Sequence, residues 1–257
     1  MSRVLAIHAH PDDLELLAGG TLKRLSDAGH TVALATATAG EGGSAEFDAA
    51  ETGRIRKAEA TASAALIGAT YHCLGFPDLG VFNDDLSRRA VTELLRTVRP
   101  DVVITGSPVD YHPDHEAISI LVRDACFAAP VANYRTGPAP ALTTIPALYF
   151  TDAIGGRDRD GARLRRDFGV DVTAVFATKR AMLACHQSQA AWVLRQHGIP
   201  DLGADMEAWS RRVGADFGVE HAEGFRHYRH PPYPKAAVLH GLLEAAVLRI
   251  TTADRET

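Results

Sequence analysis

The chain has 257 residues, of which 46% are hydrophobic and 23% charged, and its formal net charge at pH 7 is −5. This composition is that of an ordinary globular protein, and the negative charge gives no electrostatic basis for binding nucleic acid. The three cysteines lack metal-ligand spacing, and no apolar run is long enough for a signal peptide or a bilayer span. We therefore predict a cytoplasmic protein with no membrane or nucleic-acid partner. The sequence leaves open whether it forms a homo-oligomer.

The first half of the chain alternates short apolar or β-branched runs with longer stretches of helical periodicity. Strands are predicted at Val4–Ala9, Thr31–Thr38, Thr70–Leu74 and Asp101–Gly106, and helices at Leu14–Ala28, Thr52–Leu66, Asp84–Val98 and Ala117–Ala128. This alternation predicts an α/β fold with a Rossmann-like, doubly wound, mostly parallel sheet and helices on both faces.

The pattern loosens in the second half of the chain. We predict strands at Ala147–Phe150 and Val170–Val175, helices at Lys179–Leu194 and Ala236–Ile250, and mixed loop and short helix over 196–234. Residues 1–128 are thus expected to form a Rossmann-like core that carries the candidate metal site. Residues 129–257 are expected to complete the same domain as a C-terminal lobe that shapes the substrate pocket.

Two turns rich in histidine and aspartate carry the candidate chemistry. His10-Pro11-Asp12-Asp13 follows the first predicted strand, and His112-Pro113-Asp114-His115 follows the fourth. In a doubly wound sheet these strands are neighbours at the topological switch point, and ligands bind outside their carboxyl ends. We therefore expect the two segments to converge on one crevice.

The residue types in these turns suit a catalytic zinc ion. Imidazole and carboxylate are zinc ligands, and three protein ligands leave a fourth position for water. We predict one Zn²⁺ bound by His10, Asp13 and His115, with another divalent ion such as Fe²⁺ as an alternative.

The remaining polar residues of the turns then receive catalytic roles. Asp12, next to the metal but not bound to it, is the predicted general base. His112 should polarise the substrate carbonyl or protonate the leaving amine, and Asp114 should hold His112 in the required tautomer. Proline and aspartate also favour helix N-termini, so one such turn alone could be only a helix cap.

Other site classes fit less well. His8-Ala9-His10-Pro11-Asp12 matches the HxHxD start of metallo-β-lactamases, but the next residue is Asp13 where that pattern has histidine. We therefore predict His8 to be a core or supporting residue. The turn after the first strand lacks the G-x-G-x-x-G of dinucleotide-binding proteins, and the chain has no G-x-S-x-G elbow of serine hydrolases.

At these motifs the chain resembles the LmbE/PIG-L family of zinc-dependent deacetylases. The similarity rests on AHPDDLELLAGGTL at 9–22 and HPDH at 112–115, and extends through segments at 56–59, 75–78, 179–189 and 222–225. The resemblance implies a Rossmann-like fold, one divalent metal, and the same ligands and base. It also implies that His112 stabilises the tetrahedral intermediate and that Arg56 and Asp78 contact the substrate.

Together these observations predict hydrolysis of a linear amide. The resemblance points to N-deacetylation of an N-acetylglucosamine-type amino sugar or its conjugate, a small-molecule partner. An amidase that acts on a thiol conjugate or an antibiotic intermediate would use the same metal chemistry and stays open. A non-catalytic sugar-binding module would need no base, which makes Asp12 an argument against it.

Overall fold

The computed structural model describes residues 1–249, and its strands form a single mixed sheet. The strands are Arg3–His8 (β1), Thr31–Thr38 (β2), Thr70–Phe76 (β3), Val102–Thr105 (β4), Ala147–Thr151 (β5), Phe168–Asp171 (β6), Ala222–Tyr228 (β7) and Val247–Arg249 (β8). Their order in the sheet is β3-β2-β1-β4-β5-β7-β6-β8. Neighbours from β3 to β5 are parallel, and the pairs β5–β7, β7–β6 and β6–β8 are antiparallel.

Helices cover both faces of this sheet. They are Asp13–Asp27 (α1), Ala49–Ala65 (α2), Asp85–Val98 (α3), Pro113–Ala128 (α4), Phe176–Leu183 (α5), Gln189–His197 (α6), Leu202–Ala215 (α7) and Val238–Leu243 (α8). One core contains side chains of α1, α5 and α8, and the other contains side chains of α3 and α4. The doubly wound, mostly parallel α/β fold predicted from the sequence is confirmed. Within residues 1–249, no helix is both long and apolar enough to cross a bilayer.

Both faces of strand β1 are apolar, so the strand is buried between the two hydrophobic cores. Val4 and Ala6 belong to one core, Leu5 and Ile7 belong to the other, and all four are fully buried. The strand pairs with β2 on one side and β4 on the other. As expected, β1 and β4 are parallel neighbours, so the turns that follow them open at the same edge of the sheet.

Helix α1 is bonded to the second half of the chain through Glu223, whose carboxylate is also part of a buried ion pair. Lys179 Nζ of α5 donates to Glu223 Oε1 of β7 at 2.6 Å, and the two side chains are 0% and 1% exposed. Glu223 also accepts from the backbone N–H groups of Gly20 and Thr21, each at 2.8 Å. This close approach needs glycine, because a Cβ on Gly20 would lie 2.6 Å from Val172.

The second half of the chain departs from the sequence predictions in four places. The helix predicted over Lys179–Leu194 is two helices, α5 and α6, separated by a turn in which the N–H groups of Cys185 and His186 bond to carbonyls three residues earlier. Ser188, at the end of this turn, donates its backbone N–H and hydroxyl to Glu59 of α2. The strand predicted over Val170–Val175 ends at Asp171, whose side chain accepts from the backbone N–H of Thr173 and turns the chain.

The other two differences concern strands that the sequence did not indicate. Strand β7 lies within the region predicted as loop and short helix; its first four residues are buried, and it pairs with β5 on one side and β6 on the other. The predicted terminal helix stops at Leu243, because Glu244 adopts a positive φ of 45°, and Val247–Arg249 pairs with β6 instead. Residue 250 of that prediction lies outside the described residues.

Candidate metal centre

The two histidine–aspartate turns meet at the carboxyl ends of β1 and β4. His10, Asp12 and Asp13 lie in the turn from β1 into α1, whereas His112 caps α4 and His115 lies in its first turn. The strands align Ile7 with Thr105, which brings the following residues together. The convergence expected from topology is therefore present in the structure.

Three donor atoms form a nearly equilateral triangle at this point. His10 Nδ1 lies 3.2 Å from His115 Nε2, and Asp13 Oδ2 lies 3.4 Å from each of these nitrogens. Ligands at zinc–ligand distances of about 2.0–2.2 Å in a tetrahedron are separated by roughly 3.3–3.5 Å. The triangle therefore has the dimensions of one face of a zinc coordination tetrahedron.

The electrostatics of the triangle favour a cation. Burial disfavours charge on His10, but the carboxylates of Asp114, Asp13 and Asp78 outweigh it and raise the pKa of His10 well above its usual value. Burial also acts against ionisation of Asp13, yet His115 and His8 hold the pKa of Asp13 well below its usual value. The residues thus fit a divalent metal ion in both donor chemistry and charge.

Asp12 lies beside the triangle in an unusual backbone conformation. Its φ is 95°, in the left-handed region, where a non-glycine residue is strained. Its Oδ2 lies 3.3 Å from Nη2 of Arg56, and its side chain is 18% exposed. Burial raises the pKa of Asp12, and the Arg56 guanidinium works against this rise. A strained, partly accessible carboxylate with a raised pKa has the properties of a proton acceptor.

His112 is half-buried and presents one ring nitrogen to the cavity side. Its Nδ1 accepts from the backbone N–H of Asp114 at 3.2 Å. Burial, together with neighbouring His10 and His115, lowers the pKa of His112, so the ring is neutral at neutral pH. A neutral imidazole that accepts at Nδ1 carries its hydrogen on Nε2, which can donate.

Asp78 and Asp114 both direct a carboxylate oxygen at His10. The Asp114 carboxylate does not reach His112 as proposed from the sequence; only its backbone N–H does. Its Oδ2 lies 3.4 Å from His10 Nε2, while Asp78 Oδ1 lies 3.1 Å from the same nitrogen. Asp114 turns away because the backbone N–H of Leu79, at 2.7 Å, binds its carboxylate.

Arg56 lies on the buried side of helix α2. It is only 4% exposed, and its guanidinium donates to the carbonyl groups of Gly40 and Pro11 at 2.8 and 2.7 Å. These bonds join α2 to the loop after β2 and to the turn that holds Asp12. Both Arg56 and Asp78 line the cavity, and their contact with substrate stays a prediction.

Asp110 was not predicted from the sequence, and it contacts His115, one of the predicted ligands. Its Oδ1 lies 3.1 Å from His115 Nδ1, and the carboxylate also accepts from the backbone N–H groups of His112 and Ile154. The only signal was an aspartate five residues before a histidine. His8, predicted as a supporting residue, is fully buried with its Nδ1 2.7 Å from Asp13 Oδ2.

A cavity of about 440 Å³ opens in front of the triangle. One side is polar and contains the residues of the two turns. The opposite side comes from α5 to α7 and the connections between them, and includes Leu183, Trp192, Val193, Ile199 and Leu202. A volume of this size suits a small molecule. Residues of the second half of the chain therefore form part of the wall of this cavity.

Comparisons with known proteins find a family and relatives that are named as deacetylases. Residues 5–126 match the PIG-L family, described as GlcNAc-PI de-N-acetylase. The chain is 31% identical over 282 residues to the 1D-myo-inositol 2-acetamido-2-deoxy-alpha-D-glucopyranoside deacetylase of Nakamurella multipartita, with 91% of each chain covered. It is 26% identical over 200 residues to the diacetylchitobiose deacetylase of Thermococcus kodakarensis, covering 74% of this chain and 70% of that one.

A solved structure gives the same picture for the fold. The conserved protein TT1542 from Thermus thermophilus superposes with a TM-score of 0.73 at 27% identity, covering 92% of this chain and 100% of that one.

Proposed function

Because this chain belongs to the PIG-L family, we propose that it is a zinc-dependent N-deacetylase of N-acetylglucosamine-type amino sugars or their conjugates. The observation that carries the proposal is the donor triangle of His10 Nδ1, Asp13 Oδ2 and His115 Nε2, with edges of 3.2–3.4 Å. The triangle opens to a cavity that also contains a candidate base and a candidate hydrogen-bond donor. Metal, base and donor are the three parts that hydrolysis of an unactivated amide requires.

Asp12 is the proposed general base. Zinc, when bound, supplies positive charge that acidifies water and polarises an amide carbonyl. Asp12 takes the proton from the attacking water on a carboxylate oxygen, and its raised pKa makes it a stronger acceptor than an exposed aspartate. Arg56, 3.3 Å away, keeps this carboxylate in place and favours its ionised form before the reaction.

His112 is the proposed donor on the opposite side of the substrate. Its Nδ1 is occupied by the backbone N–H of Asp114, so its Nε2 hydrogen is available to the carbonyl oxygen as negative charge develops there. The proton taken by Asp12 can then pass to the leaving amine nitrogen. Hydrolysis thus yields the free amine and the carboxylic acid.

The proposal is tested by metal analysis combined with a substrate screen. The purified protein should contain one zinc per chain, lose activity on chelation and regain it with zinc. Anaerobic purification with iron analysis tests Fe²⁺ as the alternative metal. The screen offers N-acetylglucosamine, its glycosides, thiol conjugates of the amino sugar, and antibiotic amides, and detects the free amine that each releases.

The outcomes separate the candidate substrates. Release of amine from N-acetylglucosamine or its glycosides supports the proposal. Release only from thiol conjugates or antibiotic amides favours the amidase alternative at the same site. A fully zinc-loaded protein that releases amine from none of these compounds contradicts the proposed activity.

A further inference from the structure

His10 has a second ring nitrogen, Nε2, which faces away from the donor triangle toward two carboxylates. Asp78 Oδ1 lies 3.1 Å from it and Asp114 Oδ2 lies 3.4 Å from it. The two carboxylates come from different parts of the chain: Asp78 follows β3, whereas Asp114 lies in the first turn of α4. Neither carboxylate supplies an atom of the donor triangle.

The two carboxylates determine which ring nitrogen of His10 carries a hydrogen when the imidazole is neutral. Ionised carboxylates only accept hydrogen bonds, and a neutral imidazole has a single N–H. With Asp78 and Asp114 both at Nε2, that nitrogen would keep its hydrogen when Nδ1 gives its lone pair to a metal ion. We propose that Asp78 and Asp114 are positioning residues that fix this tautomer of His10 and present its Nδ1 to the metal. The inference rests on the metal centre proposed above.

Backbone N–H groups bind both carboxylates, and most of these groups belong to the loop after β3. Asp78 accepts from the N–H groups of Gly42 and Leu79, each at 3.0 Å. Asp114 accepts from the same N–H of Leu79 at 2.7 Å and from that of Val81 at 3.3 Å.

Leu79 adopts a φ of 60°, and its side chain is 68% exposed. This left-handed conformation is strained for leucine, and the N–H group of the same residue is the donor that Asp78 and Asp114 share.

The other imidazole of the triangle has a corresponding partner on its opposite nitrogen. Asp110 lies 3.1 Å from His115 Nδ1, which leaves Nε2 of His115 toward the triangle. The two histidines would therefore bind the metal through different ring nitrogens, each set by its own carboxylate. This account gives Asp78 a role that needs no contact with substrate, in contrast to the role implied by the family resemblance.

Zinc affinity of the metal-free full-length chain, measured by competition with a chromophoric chelator, tests the proposal. Asp78→Ala and Asp114→Ala are expected to weaken zinc binding about 10–100-fold, the usual effect of losing a partner of a ligating histidine. Asp78→Asn and Asp114→Asn keep a neutral acceptor and should give intermediate losses. Asp205→Ala removes another carboxylate that lines the cavity and should leave zinc affinity within about twofold of wild type.

Two further readouts separate positioning from a merely structural role or a substrate contact. In the zinc-loaded wild type, the Nε2 hydrogen of His10 should give a slowly exchanging downfield proton resonance, assigned by its loss in His10→Gln. That resonance should disappear in the alanine variants, while KM measured at saturating zinc stays within about twofold. Thermal unfolding of each variant identifies any that fail to fold, and the asparagine variants then carry the test.

Each outcome has a distinct meaning. Unchanged zinc affinity with a raised KM in Asp78→Ala would overturn the proposal and make Asp78 a substrate contact. Unchanged affinity and an unchanged resonance in all four variants would also overturn it. A wild-type chain that binds no zinc would instead contradict the proposed function, so the two failures are distinguishable.

Discussion

Replacing Asp12 with asparagine isolates the proposed base from the metal site. Asparagine has nearly the same size and can accept a hydrogen bond from Arg56, which lies 3.3 Å from the carboxylate. It cannot take up a proton. Asp12 supplies none of the three atoms of the donor triangle, so zinc should remain bound. A positioned general base contributes about 10²–10⁴ in rate, so kcat should fall by this factor, equivalent to roughly 3–5 kcal/mol.

The assay is kcat under saturating substrate, with zinc content measured on the same samples. Asp160→Asn, the same chemical change at an exposed carboxylate that does not line the cavity, serves as the matched control and should keep kcat within about threefold of wild type. A kcat for Asp12→Asn within tenfold of wild type, at full zinc occupancy, would refute the assignment of the base. Loss of zinc in this variant would show instead that Asp12 is a metal ligand.

Three other predictions concern the stability of the scaffold. Lys179→Met leaves the carboxylate of Glu223 buried without its partner and should lower the free energy of unfolding by about 3–5 kcal/mol in urea titrations. Gly20→Ala should cost about 1–3 kcal/mol because the new methyl group overlaps a neighbouring side chain, whereas Gly19→Ala, whose nearest contact is 3.4 Å, should cost nothing. Burial and nearby Arg229 lower the pKa of His227 to about 4. As the pH falls below ~6.5, this histidine takes up a proton in the unfolded chain, whereas in the native protein it stays neutral down to about pH 4. The free energy of unfolding should therefore decrease as the pH is lowered from ~6.5 to about 4. His227→Gln should reduce the slope of that free energy against pH by up to about 1.4 kcal/mol per pH unit.

The first half of the fold could be predicted because its signals are local. Strands β1, β2 and β4 are short runs of apolar and β-branched residues, and the helices between the strands have their own periodicity and boundary signals. The adjacency of β1 and β4 follows from the rules of doubly wound sheets, and with it the convergence of two distant turns. The prediction of one crevice therefore needed no long-range information beyond topology.

The second half could not be predicted in the same way, because tertiary contacts decide its local structure. The turn between α5 and α6 is bonded to α2 through Glu59, which lies 129 residues before its partner Ser188 in the chain. Strand β8 exists because β6 offers an edge for pairing, which the helical periodicity of 236–250 does not reveal. Such contacts override local propensity and leave no signal in a single sequence.

The same distinction holds within the site. His10, Asp13 and His115 were proposed as ligands because their residue types and positions in two turns suit zinc. The carboxylate partners of the two histidines were not foreseen, since the contact of Asp78 with His10 depends on a loop after a third strand. Asp114 was assigned to its neighbour His112 in sequence, whereas the Leu79 backbone directs its carboxylate elsewhere.

Anomalous diffraction at the zinc edge from crystals of the zinc-loaded protein tests the central claim most directly. We expect one peak per chain, about 2.0–2.2 Å from His10 Nδ1, an Asp13 carboxylate oxygen and His115 Nε2. A zinc ion bound by other residues, or the absence of a peak between the two turns in fully loaded protein, would contradict the account.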